Sequence, residues 1–470
     1  SSGKVGGVAH DLSSIVKAYD IRGVVPGQLD EQVARAVGAA FVTVLDGPSA
    51  VVVGHDMRAS SGPLTEAFAA GVTSRGADVV HIGLASTDQL YFASGSLDLP
   101  GAMFTASHNP AQYNGIKLCR AGAAPVGQDT GLAEIRALAE RLLSAADTSS
   151  SDGAPDGAPA GRVERRDVLA DYGAYLRRLV PLTGIRPLTV VVDAGNGMAG
   201  HTAPAVLDVP GLSVVPLYFE LDGTFPNHEA NPIEPENLRD LQAAVLEHGA
   251  DLGLAFDGDA DRCFVVDERG EPVNPSALTG LIAVRELARA PGSSVVHNLI
   301  TSRAVPEIVR EHGGEPIRTR VGHSFIKQTM AETGAVFGGE HSAHYYFRDF
   351  WRADSGMLAA LHVLAALGGE PADGGLSALL TPYQRYVSSG EINSTVDDQA
   401  AATAAVEAAF TERPGVQIDH LDGLTAEHAD WWFNLRPSNT EPLLRLNSEA
   451  VDRPTMEQIS DEVLALVRGS

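Results

Sequence analysis

Lysine is scarce in this 470-residue chain. Only Lys4, Lys17, Lys117 and Lys327 occur, and the rest of the 34 basic residues are arginines. Lysine is therefore not used for bulk charge, and each one is a candidate for a specific role. Basic charge as a whole is also short, because 60 Asp plus Glu leave a net charge of −26. A field of that sign repels phosphate backbones, which excludes nucleic acid and an anionic membrane as principal partners. Two cysteines, Cys119 and Cys263, are too few for a secreted disulfide framework. Both lie in apolar stretches and read as small buried hydrophobes. No apolar run reaches the ~18 residues that a membrane span needs. The opening SSGKVGGVAH lacks the apolar core of a secretory signal, so the expected location is the cytoplasm. A G-x-S-x-G elbow is missing too, which argues against an esterase.

What is present is length, and a repeated pattern. At roughly 100–200 residues per domain, the chain calls for about three or four domains. Residues 144–161, SAADTSSSDGAPDGAPAG, are small, polar and without periodicity, and read as a linker. Further breaks fall near GGEPADGG (368–375) and GEPVNPS (270–276). Three times an apolar β-branched run, such as AVVVG, LTVVVD or SSVVH, leads through a polar or glycine turn into a helix and another strand. Such runs predict βαβ units with largely parallel sheets. The tail from about 385 differs, with strands around a hairpin-like loop in WWFNLRPSNTEPLLRLNSEA and flanking helices. The expectation is α/β: three related α/β domains with mixed, largely parallel sheets plus a smaller C-terminal α+β domain. The expected boundaries are 1–150, 162–272, 273–375 and 383–470.

Five segments carry chemistry. In GAMFTASHNPAQYNGIKL an apolar run ends at Thr105, and Ser107, His108, Asn109 and Pro110 follow on a loop. Pro110 keeps Asn109 extended, and Asn114-Gly115 turns the chain back into the strand that carries Lys117. Taken alone, Ser107 is either a nucleophile beside a histidine or a capping serine. In LGLAFDGDADRCFVVD, Asp257, Asp259 and Asp261 alternate. In an extended segment they would share one face, and three like charges so close call for a cation. Oxygen ligands suit Mg²⁺ or Ca²⁺. An EF-hand fits poorly, since Arg262 stands where the sharp turn needs glycine and the flanks read as strands.

VVVDAGNGMAG (190–200) satisfies the dinucleotide pattern, with Glu220 or Asp222 suitably placed beyond it. The alternative is a tight strand–helix turn. In AVFGGEHSAHYYF, Glu340, His341, Ser342 and His344 project from a loop and could hydrogen-bond a polyhydroxylated ligand. In FNLRPSNTEPLLRL, Arg436, Ser438, Asn439 and Thr440 surround a turn set by Pro437, which suits a phosphate. Two smaller pieces are KAYDIRG, with Lys17, Tyr19 and Arg22, and RTRVGHSFIK, with Arg320 and His323.

Taken in order, KAYDIRG, TASHNP, DGDADR, GEHSAH and RPSNTEP resemble the α-D-phosphohexomutase superfamily, and the resemblance covers nearly the whole chain. The GEHSAH form is similar to the bacterial phosphomannomutase/phosphoglucomutase branch, while phosphoglucosamine mutases typically carry Gln where His341 stands. The resemblance implies four domains around a central cleft, bearing in turn the phosphoserine, metal, sugar-recognition and phosphate-anchoring loops. It implies a soluble enzyme that interconverts hexose 1-phosphate and hexose 6-phosphate, of mannose or glucose, through a hexose 1,6-bisphosphate.

The same resemblance implies roles. Ser107 would be the phosphoserine. Asp257, Asp259 and Asp261 would hold Mg²⁺, with the serine phosphate as a further ligand. Arg22, Lys117 and Arg262 would offset charge on the transferring group. His344 and Lys117 would be general acid/base candidates, and His108 would support the nucleophile. Lys17, Tyr19, Arg320, His323, Glu340 and Ser342 would meet the substrate, and Arg436, Ser438, Asn439 and Thr440 would hold the idle phosphate. A base at Lys117 would need a lowered pKa. The expected partner is a small phosphosugar, with no nucleic acid or membrane, and the expected state is a monomer or weak homodimer. Phosphoglucosamine mutase is the nearest alternative, and an NAD-dependent oxidoreductase is a distant one.

Overall fold

The computed structural model describes residues 10–146, 159–438 and 441–469. Most of the linker segment, together with Lys4, Asn439 and Thr440, lies outside the described residues. The chain forms two compact units, Ser1–Val273 with Ala343–Ser377 and Asn274–Ser342 with Ala378–Ser470.

The first unit starts with a seven-stranded sheet of β1 (Ile21–Val24), β2 (Ala50–His55), β3 (Asp78–Leu84), β4 (Gly101–Phe104), β5 (Tyr113–Arg120), β6 (Ala124–Pro125) and β7 (Val163–Arg165). The order is β1-β5-β4-β2-β3-β7, with β6 on β5. Strand β2 runs parallel to β3 and β4, while β5 is antiparallel to both β4 and β1. Its helices are α1 (Glu31–Val44), α2 (Ser61–Ser74), α3 (Thr87–Leu97) and α4 (Leu132–Ala146). Asp30 caps α1 by accepting from the Val33 N–H at 2.9 Å, a bond whose loss costs about 1 kcal/mol.

The helices bury the β-branched run. Val51 and Val53 of β2 pack with Val37 and Phe41 of α1 and with Phe68 of α2 in one apolar cluster. Phe68 meets Phe104 of β4 edge-on, with ring centroids 5.3 Å apart. Because β4, β2 and β3 are adjacent and parallel, the loops after them lie side by side, where open α/β sheets collect ligands. These loops carry Ser107, Arg58 and Thr87.

A second sheet of the same unit contains β8 (Leu188–Asp193), β9 (Leu212–Leu217), β10 (Leu252–Phe256) and β11 (Cys263–Val266), in the order β11-β10-β8-β9. The β8 strand is parallel to β9 and β10, and β11 folds back antiparallel on β10. Helices α5 (Leu169–Leu179), α6 (Ala199–Leu207) and α7 (Arg239–His248) accompany it.

The second unit opens with α8 (Pro275–Arg289), β12 (Ser294–Asn298), α9 (Ala304–Glu311), β13 (Glu315–Thr319), α10 (His323–Thr333) and β14 (Phe337–Gly339). Here β12 is parallel to both β13 and β14. The chain then returns to the first unit with the antiparallel pair β15 (Tyr345–Phe347) and β16 (Ala353–Asp354), followed by the buried apolar helix α11 (Gly356–Gly368).

The tail, in the second unit, holds β17 (Val387–Thr395), α12 (Gln399–Thr411), β18 (Gln417–Asp419), β19 (Leu424–Glu427), β20 (Trp431–Pro437), β21 (Leu443–Ala450) and α13 (Arg453–Arg468). Its sheet is antiparallel throughout, ordered β17-β21-β20-β19-β18. Phe410 and Phe433, 4.9 Å apart, centre its core. The α/β reading of the body and the α+β reading of the tail both hold. Among the described residues, no helix is long and apolar enough to cross a membrane.

Candidate active site

Ser107 lies just beyond β4, almost fully buried, with φ of +53°. That left-handed backbone costs energy for a residue with a side chain, so neighbours must enforce it. Arg58, after β2, does so. Its side chain is buried, and Nη2 donates to the carbonyls of Ser107 (3.1 Å) and Asn109 (2.8 Å). Nη1 donates to the carbonyls of Pro110 (2.8 Å) and Tyr113 (3.0 Å), and Nε meets Asp56 Oδ2 at 3.2 Å. The guanidinium thus spends its donors on moulding the serine loop. Arg22 of β1 adds a bond from Nη1 to Asn109 Oδ1 at 2.7 Å. Burial, with Arg262 and Arg22 nearby, lowers the His108 pKa to about 3, so this histidine is neutral at physiological pH.

The Ser107 hydroxyl donates to Asp257 Oδ2 at 3.0 Å. Asp257, Asp259 and Asp261 are buried, and one oxygen of each lies within 4.8 Å of the others. The three do converge, but not through extended alternation. The segment is a turn joining β10 to β11, in which Ala260 has φ of +59° and its N–H donates to the Asp257 carbonyl at 3.0 Å. A tight reversal places the carboxylates together where a strand would have spread them along an edge.

Lys117 of β5 bridges two of them, with Nζ 2.7 Å from Asp259 Oδ2 and 2.9 Å from Asp261 Oδ2. Burial disfavours its ammonium, but the two carboxylates outweigh that and hold the pKa well above the ordinary lysine range. The direction is opposite to what a base at Lys117 would require. Arg262 closes the other side, donating from Nε to Asp257 Oδ2 at 2.9 Å and from its backbone N–H to Oδ1 at 3.2 Å.

Four buried polar atoms here have no hydrogen-bond partner among the described residues: Asp259 Oδ1, Asp261 Oδ1, Arg262 Nη2 and His108 Nδ1. Unpaired buried polar atoms are rare and costly. Two spare carboxylate oxygens fit a small, hard divalent cation, and the spare guanidinium N–H fits a phosphate oxygen.

The dinucleotide-like run serves this loop. Gly197 approaches it so closely that a Cβ there would stand 2.7 Å from the Gly258 carbonyl oxygen. The Met198 N–H donates to that same oxygen at 2.9 Å. Gly258 in turn abuts the Ser107 carbonyl, which a Cβ would meet at 2.3 Å. The glycines are used for packing against the acidic turn, and the Glu220 carbonyl accepts from Asn196 Nδ2 at 3.0 Å to shape the same corner.

His344, which precedes β15, places Nδ1 3.0 Å from Asp354 Oδ2 of β16. These two and Asp261 form a second group of possible ligand atoms within 4.8 Å. Lys17 is exposed and Tyr19 half-buried, so KAYDIRG contributes Arg22 to the serine loop.

The remaining candidates belong to the second unit. Ser342 Oγ donates to Glu340 Oε2 at 3.1 Å, and His341 Nδ1 lies 3.4 Å from Ser276 Oγ. Burial lowers the His341 pKa. Arg320 rests over the Phe325 ring, 5.0 Å from its centroid, and His323 begins α10. Arg436, next to the last residue of β20, stands opposite Arg445 of β21. Its Nη1 is buried without a partner among the described residues, and burial lowers its pKa against the pull of Asp422 and Glu391. Two arginines facing across a ladder repel unless an anion joins them. Ser438 donates its N–H to the Leu443 carbonyl at 2.9 Å.

Arg58, Thr87 and Asp354 lie in none of the sequence motifs. The usable signal was position, since Arg58 and Thr87 follow parallel strands at their carboxyl ends.

Comparison with known proteins agrees with this geometry. The four parts of the phosphoglucomutase/phosphomannomutase family match in sequence: alpha/beta/alpha domain I at 13–145, domain II at 171–270, domain III at 274–386 and the C-terminal domain at 391–466. A Xanthomonas campestris protein described as "Phosphohexose mutases" is 42% identical over 456 residues, covering 96% of this chain and 99% of that protein. The crystal structure of a phosphoglucomutase/phosphomannomutase family protein from Burkholderia thailandensis superposes with a TM-score of 0.83 at 35% identity, covering 97% and 98% of the two chains. Aspergillus fumigatus N-acetylphosphoglucosamine mutase, solved with GlcNAc-6P and magnesium, shares the fold at a TM-score of 0.63 and 15% identity, covering 98% and 97%. With its ordered motifs, its folded sheets and these full-length likenesses, the chain belongs to the phosphoglucomutase/phosphomannomutase family of phosphohexose mutases.

Proposed function

We propose that the chain interconverts hexose 1-phosphate and hexose 6-phosphate, accepting both mannose and glucose phosphates, through a phosphoserine at Ser107 and a hexose 1,6-bisphosphate. The observation that carries this is the Ser107 hydroxyl 3.0 Å from Asp257, inside a group of buried carboxylates with two oxygens to spare. In the first half, the bond from phosphorus to Ser107 Oγ breaks as one forms to the free sugar hydroxyl, whose proton passes to a base. The bisphosphate turns over, and Ser107 Oγ then takes the other phosphoryl group while the sugar oxygen regains a proton. Such transfers depend on positioning and charge.

Asp257, Asp259 and Asp261 would hold Mg²⁺, with the serine phosphate completing the set, and the bound cation would offset charge on the transferring group. Arg22, Arg262 and Lys117 are read as its cationic surround, and His108 as a neutral neighbour of the nucleophile. His344 is the base in this reading. Asp354 accepts from Nδ1–H, which leaves Nε2 to take the proton. Glu340, Ser342, Lys17, Tyr19, Arg320 and His323 are assigned to the sugar phosphate, and Arg436, Ser438, Asn439 and Thr440 to the idle phosphate. The stretches 1–150, 162–272, 273–375 and 383–470 would then supply the nucleophile, the metal loop, sugar recognition and the anchor. One chain contains every assigned residue, so a monomer or weak homodimer suffices.

The test is Ser107→Ala. Mutase turnover should vanish, and the phosphate that native protein gains from a hexose bisphosphate, read by intact mass, should vanish with it. Full activity in the variant would overturn the reading. A coupled assay with mannose, glucose and glucosamine 1-phosphates separates the proposed specificity from a phosphoglucosamine mutase.

A further inference from the structure

We infer that Thr87, at the start of α3, is a positioning residue for the metal site: its hydroxyl ties down one oxygen of Asp259 and so presents the other to the cation. The inference rests on the reading of the acidic turn as a metal site.

The geometry is specific. Thr87 Oγ1 donates to Asp259 Oδ2 at 2.7 Å, and its backbone N–H donates to the Asp259 carbonyl at 3.0 Å. Thr87 and Asp259 are both buried and lie 172 residues apart in the chain. Lys117 Nζ takes the same Oδ2 at 2.7 Å. With Oδ2 committed twice, Asp259 Oδ1 is the oxygen left buried and without a partner among the described residues. A carboxylate held at one oxygen by two donors keeps its plane fixed, so the other oxygen points in one direction. The group is therefore ready for a ligand before any arrives, and that lowers the cost of binding.

Helix chemistry explains why this residue is placed to do it. Ser86 caps α3 by accepting from the Gln89 N–H at 3.3 Å, so Thr87 holds the first helical position. N–H groups of the first turn have no partner within the helix. The N–H of Thr87 is spent on the metal turn, and the positive end of the helix faces the Asp259 carboxylate.

The same turn is itself anchored. Asp88 is buried and accepts from Ser86 Oγ, from the Tyr172 hydroxyl at 2.6 Å and from Ser355 Oγ at 2.8 Å. Ser355 caps α11 and follows Asp354, the partner of His344. Thr87 is thus fixed by its neighbours on both the α5 and α11 sides, as a residue that sets another side chain's orientation must be.

Lys117 also touches Oδ2, but it serves Asp261 equally and so cannot select a rotamer for Asp259 alone. Removing the Thr87 hydroxyl leaves Lys117 in place but no longer fixes the plane of the Asp259 carboxylate, so its free oxygen is not held toward the cation. The expected loss is in cation affinity, with the fold intact.

The experiment measures Mn²⁺ binding to the full chain by electron paramagnetic resonance, with no substrate present. Thr87→Val keeps the shape and removes the hydroxyl, and should weaken Mn²⁺ binding by about 10–100-fold. Thr87→Ser retains the hydroxyl and should bind as the native protein does. Thr87→Ala removes the hydroxyl without placing a methyl group against Asp259, and serves if the valine variant does not fold. Native-like Mn²⁺ affinity in a folded Thr87→Val or Thr87→Ala protein overturns the inference. So does a Thr87→Ser protein as weak as Thr87→Val. Asp259→Asn is the control that separates the two readings. If it leaves Mn²⁺ binding unchanged, the metal-site reading fails; if it abolishes binding while Thr87→Val does not weaken it, only the role of Thr87 fails.

Discussion

The Arg58 guanidinium donates to the Ser107 carbonyl at 3.1 Å, and Ser107 sits at φ +53°. The arginine also binds the carbonyls of Asn109, Pro110 and Tyr113, so the conformation of the serine loop is imposed by a side chain about 50 residues earlier. A lysine has too few donors, in the wrong geometry, to replace that fork. Arg58→Lys should fold but lose positioning. The expected result is a fall in kcat of about 10²-fold with KM little changed, since small misplacements cost that much. Initial rates lowered by the same factor at every substrate concentration, with KM unaltered, check this. A native kcat would show that the loop holds itself.

Gly197→Ala places a methyl group 2.7 Å from the Gly258 carbonyl oxygen, where only backbone can give way. Overpacking of this kind costs about 1–3 kcal/mol. The variant should melt lower and bind divalent cation more weakly, because the displaced turn carries Asp257 and Asp259. Neither native nor variant protein should change NAD(H) fluorescence in a titration. A dinucleotide response lost in the variant would revive the oxidoreductase alternative.

Metal uptake should release protons. Burial, followed by the charges of Asp261 and Asp259, pushes the Asp257 pKa up against the pull of Arg262, so without a cation a proton is held there more tightly than on an ordinary carboxylate. A binding cation displaces it. Apparent affinity for Mg²⁺ should therefore rise with pH. Calorimetry in buffers of different ionisation enthalpy counts the protons, and zero release would contradict the assignment.

Asp88 links stability to pH. Burial raises its pKa from 3.8 to about 6, against the pull of the hydroxyls of Ser86, Tyr172 and Ser355. The folded state thus binds this proton more tightly than the unfolded chain does. The resulting stability is complete below the unfolded value of 3.8 and is lost as pH rises through about 6. Its size is up to about 3 kcal/mol. Asp88→Asn is neutral throughout, so the difference in its melting temperature between about pH 5 and about pH 7.5 should be smaller than in the native protein. An unchanged difference would remove Asp88 from the account.

Arg436→Ala should act mainly on binding. Among the described residues its buried Nη1 has no hydrogen-bond partner, and Arg445 stands opposite. Losing a charge-assisted contact with phosphate costs about 1.5–3 kcal/mol, which is about 10–150-fold in KM for the sugar phosphate. A native KM would contradict the anchor.

The reach of the sequence is clearest at the acidic turn. DGDADR carried its chemistry in its letters, because three carboxylates within five residues need a cation or a proton wherever they are placed. The alternating strands and helices were legible for a similar reason, since periodicity and β-branching act locally. The order of the five motifs was sufficient to suggest a phosphohexomutase.

Other properties were decided only by tertiary structure. That Lys117 is a clamped cation depends on Asp259 and Asp261, 142 and 144 residues away. That GNGMAG is a packing surface depends on Gly258. That Asp259 offers Oδ1 depends on Thr87, which no motif contains. Hydrogen bonds are won or lost over tenths of an ångström. The order of β4, β2 and β3 in the sheet, not distance along the chain, decides which side chains come that close.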